Sequence, residues 1–210
     1  MKIINPKILT YNNKTIMEAI HENEFQNSKF SDNIDMDSKV TISQVTFDSC
    51  IFEKIDFRNI ELKDVDAIDV IFNHCDLSNQ VFDNKLLGRI IFKNCKMLGV
   101  SFVNASLKDV QFDNCILRYT NFSNSRLQNV LLKETNLQES TFMETIIKNI
   151  QFQQVDLSQT EFLKTNLNGV DFSDSDIRNT MFDHYSVKGI IIDKFQCQSL
   201  IGMLGVQIKE

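Results

Sequence analysis

The sequence predicts an all-β solenoid, a parallel β-helix of stacked square coils with a short C-terminal α-helix, and three observations carry that expectation. Composition is the first: 210 residues include 17 Phe but no Trp, one Pro and six Gly. A mixed domain of this size would hold roughly ten Pro and fifteen Gly at average usage. The second is a register. Stepping by five from Ile42 to Ile192 meets 31 positions, all apolar, and fourteen of the 17 Phe stand on them. The third is a companion register two residues earlier, from Val40 to Ile190, which holds Ala, Cys, Ser, Thr, Val or Ile at 28 of 31 positions. Its exceptions are Gln80, Lys85 and Tyr185.

A five-residue period matches neither a helix nor a strand. Two inward residues separated by one outward residue make a β-like step, and the next two residues must turn the chain. Four such steps close a coil of 20 residues, whose backbone groups pair with the coils above and below at a spacing of roughly 4.8 Å. Eight or so coils then give a rod of roughly 40 Å. Asn recurs two residues after the central position (Asn59, Asn79, Asn84, Asn94, Asn104, Asn114, Asn124), where it tolerates a left-handed corner. Phe is expected on two opposite faces, at 52, 72, 92, 112, 152, 172 and at 82, 102, 122, 142, 162, 182, with Leu between them.

Three segments follow. Residues 1–41 form an irregular N-terminal cap and a first imperfect coil: TIMEAIHENEF reads as a short helix or an irregular cap, and Phe25 and Phe30 stand two residues out of phase with Ile42. A small insertion is expected near 31–39. Residues 42–192 are the repeat. Within it NQVFDNKLLGR (79–89) puts Gln80 and Lys85 at inward positions, so either a short excursion leaves the wall there or the coil is distorted. Residues 193–210 change pattern, and Phe195, Leu200, Ile201, Leu204 and Val206 suit a short amphipathic helix with Gly205 as its stop.

Composition also narrows the function. No apolar run approaches the roughly 18 residues of a membrane span, and the opening MKIINPKILTYNNK does not read as a signal peptide. Five Cys without CxxC spacing point to a reduced, cytoplasmic protein. Cys75, Cys95 and Cys115 stack one coil apart, which the inward register explains as core. His21, His74 and His184 lie far apart, and no phosphate-cradling Gly loop is present. No catalytic residue, metal site or cofactor is expected.

A net charge of −6 argues against direct nucleic-acid binding. That figure averages three bands: residues 18–83 hold 15 acidic and 5 basic residues, 85–133 hold 2 and 8, and 151–185 hold 6 and 2. The coil period stacks Asp56 under Asp76 and Asp156 under Asp176. A column of outward apolar residues, Ile51, Ile71, Ile91, Leu131 and Ile191, is broken by Gln111 and Gln151. It is either covered by the N-terminal segment or a partner surface.

The units CDLSN (75–79), ASLKD (105–109), VDLSQ (155–159), TNLNG (165–169) and VDFSD (170–174) resemble the A(D/N)LXX unit of pentapeptide repeat proteins. The resemblance implies a right-handed quadrilateral β-helix. The tail, with Asp193, Phe195, Gln196, Leu200, Leu204, Gly205 and Val206, resembles that of Qnr-type quinolone-resistance proteins. What that implies is a homodimer joined through Phe195, Leu200, Ile201, Leu204 and Val206, although the same segment would also serve as a monomer cap. It further implies a DNA-mimicking rod that binds the type II topoisomerases DNA gyrase and topoisomerase IV and protects them from quinolones or inhibits them. Asp56, Asp76, Asp156 and Asp176 are then the candidate topoisomerase-binding carboxylates, against a reading as solvated outward positions. Register is unbroken from 42 to 192, so the likeness is to loopless members. The alternative is a structural or adaptor repeat protein for another protein partner, using Ile51, Ile71 and Ile91 or the basic band.

Overall fold

The computed structural model describes residues 1–32 and 39–201, and the five-residue register governs nearly all of it. Long strands Asp66–Asn73, Leu86–Lys93, Ser106–Asp113, Arg126–Lys133 and Ile146–Gln153 lie side by side and parallel, each residue facing its equivalent in the next coil. Val110 faces both Ile90 and Val130, and Phe112 faces both Phe92 and Leu132. These strands cover two adjacent sides of each coil. The other two sides are joined mainly by single bridges at the same offset, such as Asp56 to Asp76 and Ser101 to Asn121, with short ladders near the two ends at Val40–Ser43 on Ile60–Lys63 and Glu161–Phe162 on Met181–Phe182. The four sides are called here, after one central residue of each, the Phe102, Leu107, Phe112 and Leu117 faces.

Each coil closes because its corners adopt positive φ two residues past the centre. Every Asn singled out in the sequence does so except Asn59, and Arg89, Tyr119 and Glu134 do so as well. Asn is favoured at such corners but not required. Across coils the backbone is hydrogen-bonded in register, as in Leu77 N–H to the Lys96 carbonyl at 2.7 Å and Lys96 N–H to the Cys75 carbonyl at 2.9 Å.

The interior is built from the two registers. Phe52, Phe72, Phe92 and Phe112 form one near-parallel stack with centroids 4.9–5.0 Å apart. Phe102, Phe122, Phe142 and Phe162 form the opposing stack at 4.7–5.0 Å. The stacks meet edge to face, as in Phe102 against Phe112 at 6.3 Å and 71°, an arrangement the ring quadrupoles favour. The small inward residues have a second role. Hydroxyls of Thr135, Ser140, Thr145 and Thr160 donate to the Phe112, Leu117, Phe122 and Leu137 carbonyls of the preceding coil, at 2.8–3.3 Å. These buried hydroxyls are thereby satisfied inside the core, whereas Thr120 Oγ1 and Ser125 Oγ have no partner among the described residues.

A short helix stands at each end of the coil stack. Helix Ile16–Glu22 starts with a capping box, in which Thr15 Oγ1 accepts from Glu18 N–H at 3.1 Å and Glu18 Oε2 accepts from Thr15 N–H at 2.7 Å; the pattern is a strong start signal. Ile16 and Ala19 are fully buried on the N-terminal end of the core. Phe25 and Phe30 complete a first coil, since Phe30 stacks on Phe52 at 5.0 Å. Lys29 faces Ile51 and Phe30 faces Phe52, so this first coil is longer than the others, which accounts for the phase slip. Helix Cys197–Ile201 follows the last coil. Gln196 turns back and donates to the Phe172 and Ser175 carbonyls at 2.8 and 2.6 Å.

Residues 79–89 stay in the wall: Val81 bridges Ser101, and Leu86–Lys93 pairs on both sides. The distortion lies between this coil and the preceding one. Gln80 turns inward and its carboxamide takes the place of backbone partners, donating to the Phe57 and Ile60 carbonyls at 2.9 and 2.8 Å and accepting from Leu62 N–H at 3.2 Å. Lys85, the other exception, forms an ion pair with Asp64. The parted coils leave a surface groove of about 840 Å3.

Candidate functional site on the outer faces

A solenoid whose inward positions are committed to packing can act only through its outward ones. The Leu117 face carries the acidic column. Asp56 bridges Asp76, and Asp156 bridges Asp176, with Lys96, Ile116 and Asn136 between the two pairs. All four carboxylates are half-buried. Each spends one oxygen on its own turn: Oδ1 accepts the N–H two residues on, at 3.0 Å, from Arg58, Ser78, Ser158 and Arg178. Asn136 does the same for Gln138 at 3.0 Å. The A(D/N)LXX unit therefore places Asp or Asn here for a structural reason, because either can cap the turn.

The charge on that face is largely answered. Arg58 pairs with Asp56 at 2.6 Å and reaches Asp76 at 3.7 Å, Lys96 approaches Asp76 at 3.4 Å, and Arg178 pairs with Asp176 at 2.5 Å. Hydrogen bonding from Arg58 and from Arg178 holds the Asp56 and Asp176 carboxyls below the usual carboxylate range. Among the described residues Asp156 has no ion pair, only Ser158.

The apolar column lies on the Phe112 face, where Ile51, Ile71 and Ile91 are half-buried and consecutive, Ile51 facing Ile71 and Ile71 facing Ile91. The N-terminal segment runs beside it along the rod. Lys7 N–H donates to Asp69 at 2.8 Å, Ile4 N–H to Asp109 at 3.4 Å, and Gln111 to Asn5 at 2.7 Å. Asp69 and Asp109 stand two coils apart, so a short stretch of chain straps several coils together. Asp69 is in turn clamped by Arg89 through two 2.6 Å bonds, which hold its carboxyl below the ordinary range. Sequence reasoning missed these anchors, since residues 1–11 carry no periodicity.

The basic band splits by face. Lys96 and Arg118 sit on the Leu117 face, where Arg118 pairs with Glu139 at 3.1 Å and lies 5.0 Å over the Tyr119 ring. Lys108 and Arg126 of the band, with Lys148 and Lys188 beyond it, are exposed on the Leu107 face. Averaging over the band hid this separation, although the two-coil spacing of positions 108, 148 and 188 was in the sequence.

The cysteine ladder belongs to the core. Cys50, Cys75, Cys95 and Cys115 are buried. The Cys75, Cys95 and Cys115 thiols donate to the Phe52, Phe72 and Phe92 carbonyls at 3.3–3.4 Å, as the hydroxyls do. Burial pushes the Cys50 thiol up to about 11. No group of His, Cys, Asp and Glu that could hold a metal ion forms among the described residues. Of the tail residues, Phe195 is 78% exposed while Leu200 and Ile201 are half-buried; Leu204 and Val206 lie outside the described residues. No helix among the described residues is long and apolar enough to cross a membrane.

Comparison with known families agrees with this geometry. The model of the pentapeptide repeat region matches residues 65–142, and that of pentapeptide repeats in eight copies matches 42–79 and 145–183. The chain belongs to the pentapeptide-repeat family. Solved structures that it resembles do so at low identity. A trypsin-treated variant of QnrB1, a plasmid-mediated fluoroquinolone resistance protein, is 23% identical, with 88% of this chain and 89% of that chain covered and a TM-score of 0.45. HetL, a pentapeptide repeat protein involved in heterocyst differentiation regulation in the cyanobacterium Nostoc, is 13% identical over 86% of this chain and 98% of its own, with a TM-score of 0.31. A pentapeptide repeat protein of the Arabidopsis thaliana thylakoid lumen is 19% identical over 60% and 88%, with a TM-score of 0.30. No curated protein matches the sequence.

Proposed function

We propose that this pentapeptide repeat protein is a non-catalytic rod that binds a type II topoisomerase, DNA gyrase or topoisomerase IV, in place of DNA, and so protects it from quinolones or inhibits it. One observation carries the reading: carboxylates repeat on the Leu117 face at the coil spacing, Asp56 on Asp76 and Asp156 on Asp176, along a rigid wall. A cationic DNA saddle neutralises phosphates with Arg and Lys, and a row of fixed carboxylates offers it the same sign of charge. The ion pairs to Arg58, Lys96 and Arg178 do not prevent this. Exposed pairs contribute little to stability, so a partner's cations can replace them.

A homodimer belongs to the same proposal, with Phe195, Leu200, Ile201, Leu204 and Val206 as its contact. The exposed Phe195 ring at the end of the rod supports it. So does the general need to cover the open end of a solenoid.

The test is gyrase supercoiling with and without a fluoroquinolone while the protein is titrated in. Protection or inhibition is the expected result; neither, up to a large molar excess, rejects the topoisomerase. The second reading is an adaptor for a different protein with no topoisomerase role. It is favoured by the pairing of Asp56, Asp76 and Asp176 within their own face, and that negative result would select it.

A further inference from the structure

The Leu107 face differs in kind from the others. The residues flanking Leu87, Leu107, Leu127, Ile147, Leu167 and Val187 on either side, at 86, 88, 106, 108, 126, 128, 146, 148, 166, 168, 186 and 188, face outward except for the buried Ser186. Among these twelve stand Lys108, Arg126, Lys148 and Lys188, and no Asp or Glu. In-register pairing sets Gln128 directly between Lys108 and Lys148, and Arg126 between Ser106 and Ile146. All four cations are exposed, and none forms an ion pair among the described residues. The carboxylate nearest in sequence, Asp109, is turned into the corner, where it is 2% exposed and accepts from Ile4 N–H and the Asn129 amide. The strap reaches the corner and the Phe112 face and leaves this one open.

We infer that the Leu107 face is a docking surface for an acidic, extended protein segment that also carries apolar side chains. Charge complementarity sets the sign of the partner. Length sets its class: from Lys108 to Lys188 is four coils, roughly 19 Å at the strand spacing, and the same face turns acidic toward the N-terminus at Asp48 and Asp66. A long polyphosphate chain would run on into those carboxylates, and the face has no outward aromatic on which bases could stack. A short acidic segment stays within the track. Leu86, 64% exposed, and Ile146, 55% exposed, stand among the cations and give its apolar side chains a contact. Ser106, Gln128 and Asn168 offer hydrogen bonds beside them. Docking here is independent of what the Leu117 face binds.

The experiment is fluorescence anisotropy of a short fluorescein-labelled Glu/Leu peptide titrated with the full chain. A Lys/Leu peptide of equal length, a single-stranded oligonucleotide and phosphatidylserine vesicles serve as competing probes. The Glu/Leu peptide should bind, and raising salt should weaken it as screening shortens. K108E/R126E/K148E should cost about tenfold or more in affinity. K108Q/R126Q/K148Q, which removes charge without reversing it, should show a loss in the same direction. Equal binding by wild type and the Gln variant overturns the docking surface. Tighter binding of the oligonucleotide or the vesicle overturns the partner class.

Discussion

The Leu117 and Leu107 faces are built on one backbone repeat, yet their charges are in opposite states. On the Leu117 face Asp56, Asp76 and Asp176 have Arg58, Lys96 or Arg178 within 3.7 Å. On the Leu107 face Lys108, Arg126, Lys148 and Lys188 have no charged neighbour of opposite sign on the twelve flanking positions. Net charge along the chain does not reveal this, because the decisive neighbours stand in the same turn or one coil away. What a repeat protein offers a partner is the charge left over after its own coils have been matched.

Breaking the interior that both faces share should have the largest effect. Phe102 is fully buried between Phe82 and Phe122 and edges against Phe112. Phe102→Ala should cost about 3–5 kcal/mol in urea unfolding, and hydrogen exchange should rise on both faces together. An increase on one face alone would mean that they are not one cooperative wall. Next comes the parted coil. Gln80→Leu leaves the Phe57 and Ile60 carbonyls and Leu62 N–H without their partner, for about 1–3 kcal/mol. Exchange should rise around 59–66 and hardly at all on the Leu107 face beyond Ser106.

The strap should respond to acid. Because Asp69 is held below its ordinary range by Arg89, its contribution is fully present above about pH 4 and is lost as pH falls through the lower folded value. Proteolysis within residues 1–11 should therefore quicken only in that acid range, while Asp69→Ala, which removes the acceptor of the Lys7 N–H, should quicken it already at neutral pH. Equal rates for wild type and variant would detach the strap from Asp69. The smallest effect tests the acidic face itself. Arg58→Ala removes the cation paired with Asp56 and one of the two beside Asp76, where Lys96 remains, so gyrase affinity should rise slightly, whereas weaker binding would make Arg58 a contact.

Much of the architecture was legible because one period repeats at 31 positions. The square coil, the two Phe stacks and the phase slip at Phe25 and Phe30 all follow from counting. The departures at Gln80 and Lys85 were visible as departures only. That a carboxamide would replace backbone pairing depends on where the Phe57 and Ile60 carbonyls point, which no residue pattern states. The strap was hidden for a related reason: it is held through its own N–H groups, which every residue but Pro possesses. The acidic column was legible as a column, but not that each Asp caps the turn after it and that most are paired on the surface.

That capping role makes the decisive test clean. Asn caps the same turn at Asn136, so D56N/D76N/D156N/D176N removes four charges and keeps the oxygens that accept from the turns. The measurement is the affinity of wild type and this variant for immobilised gyrase by surface plasmon resonance. A loss of about tenfold or more is expected, most of it recovered when Asp156, the member without an ion pair among the described residues, is restored. Equal affinity of the two proteins would contradict it.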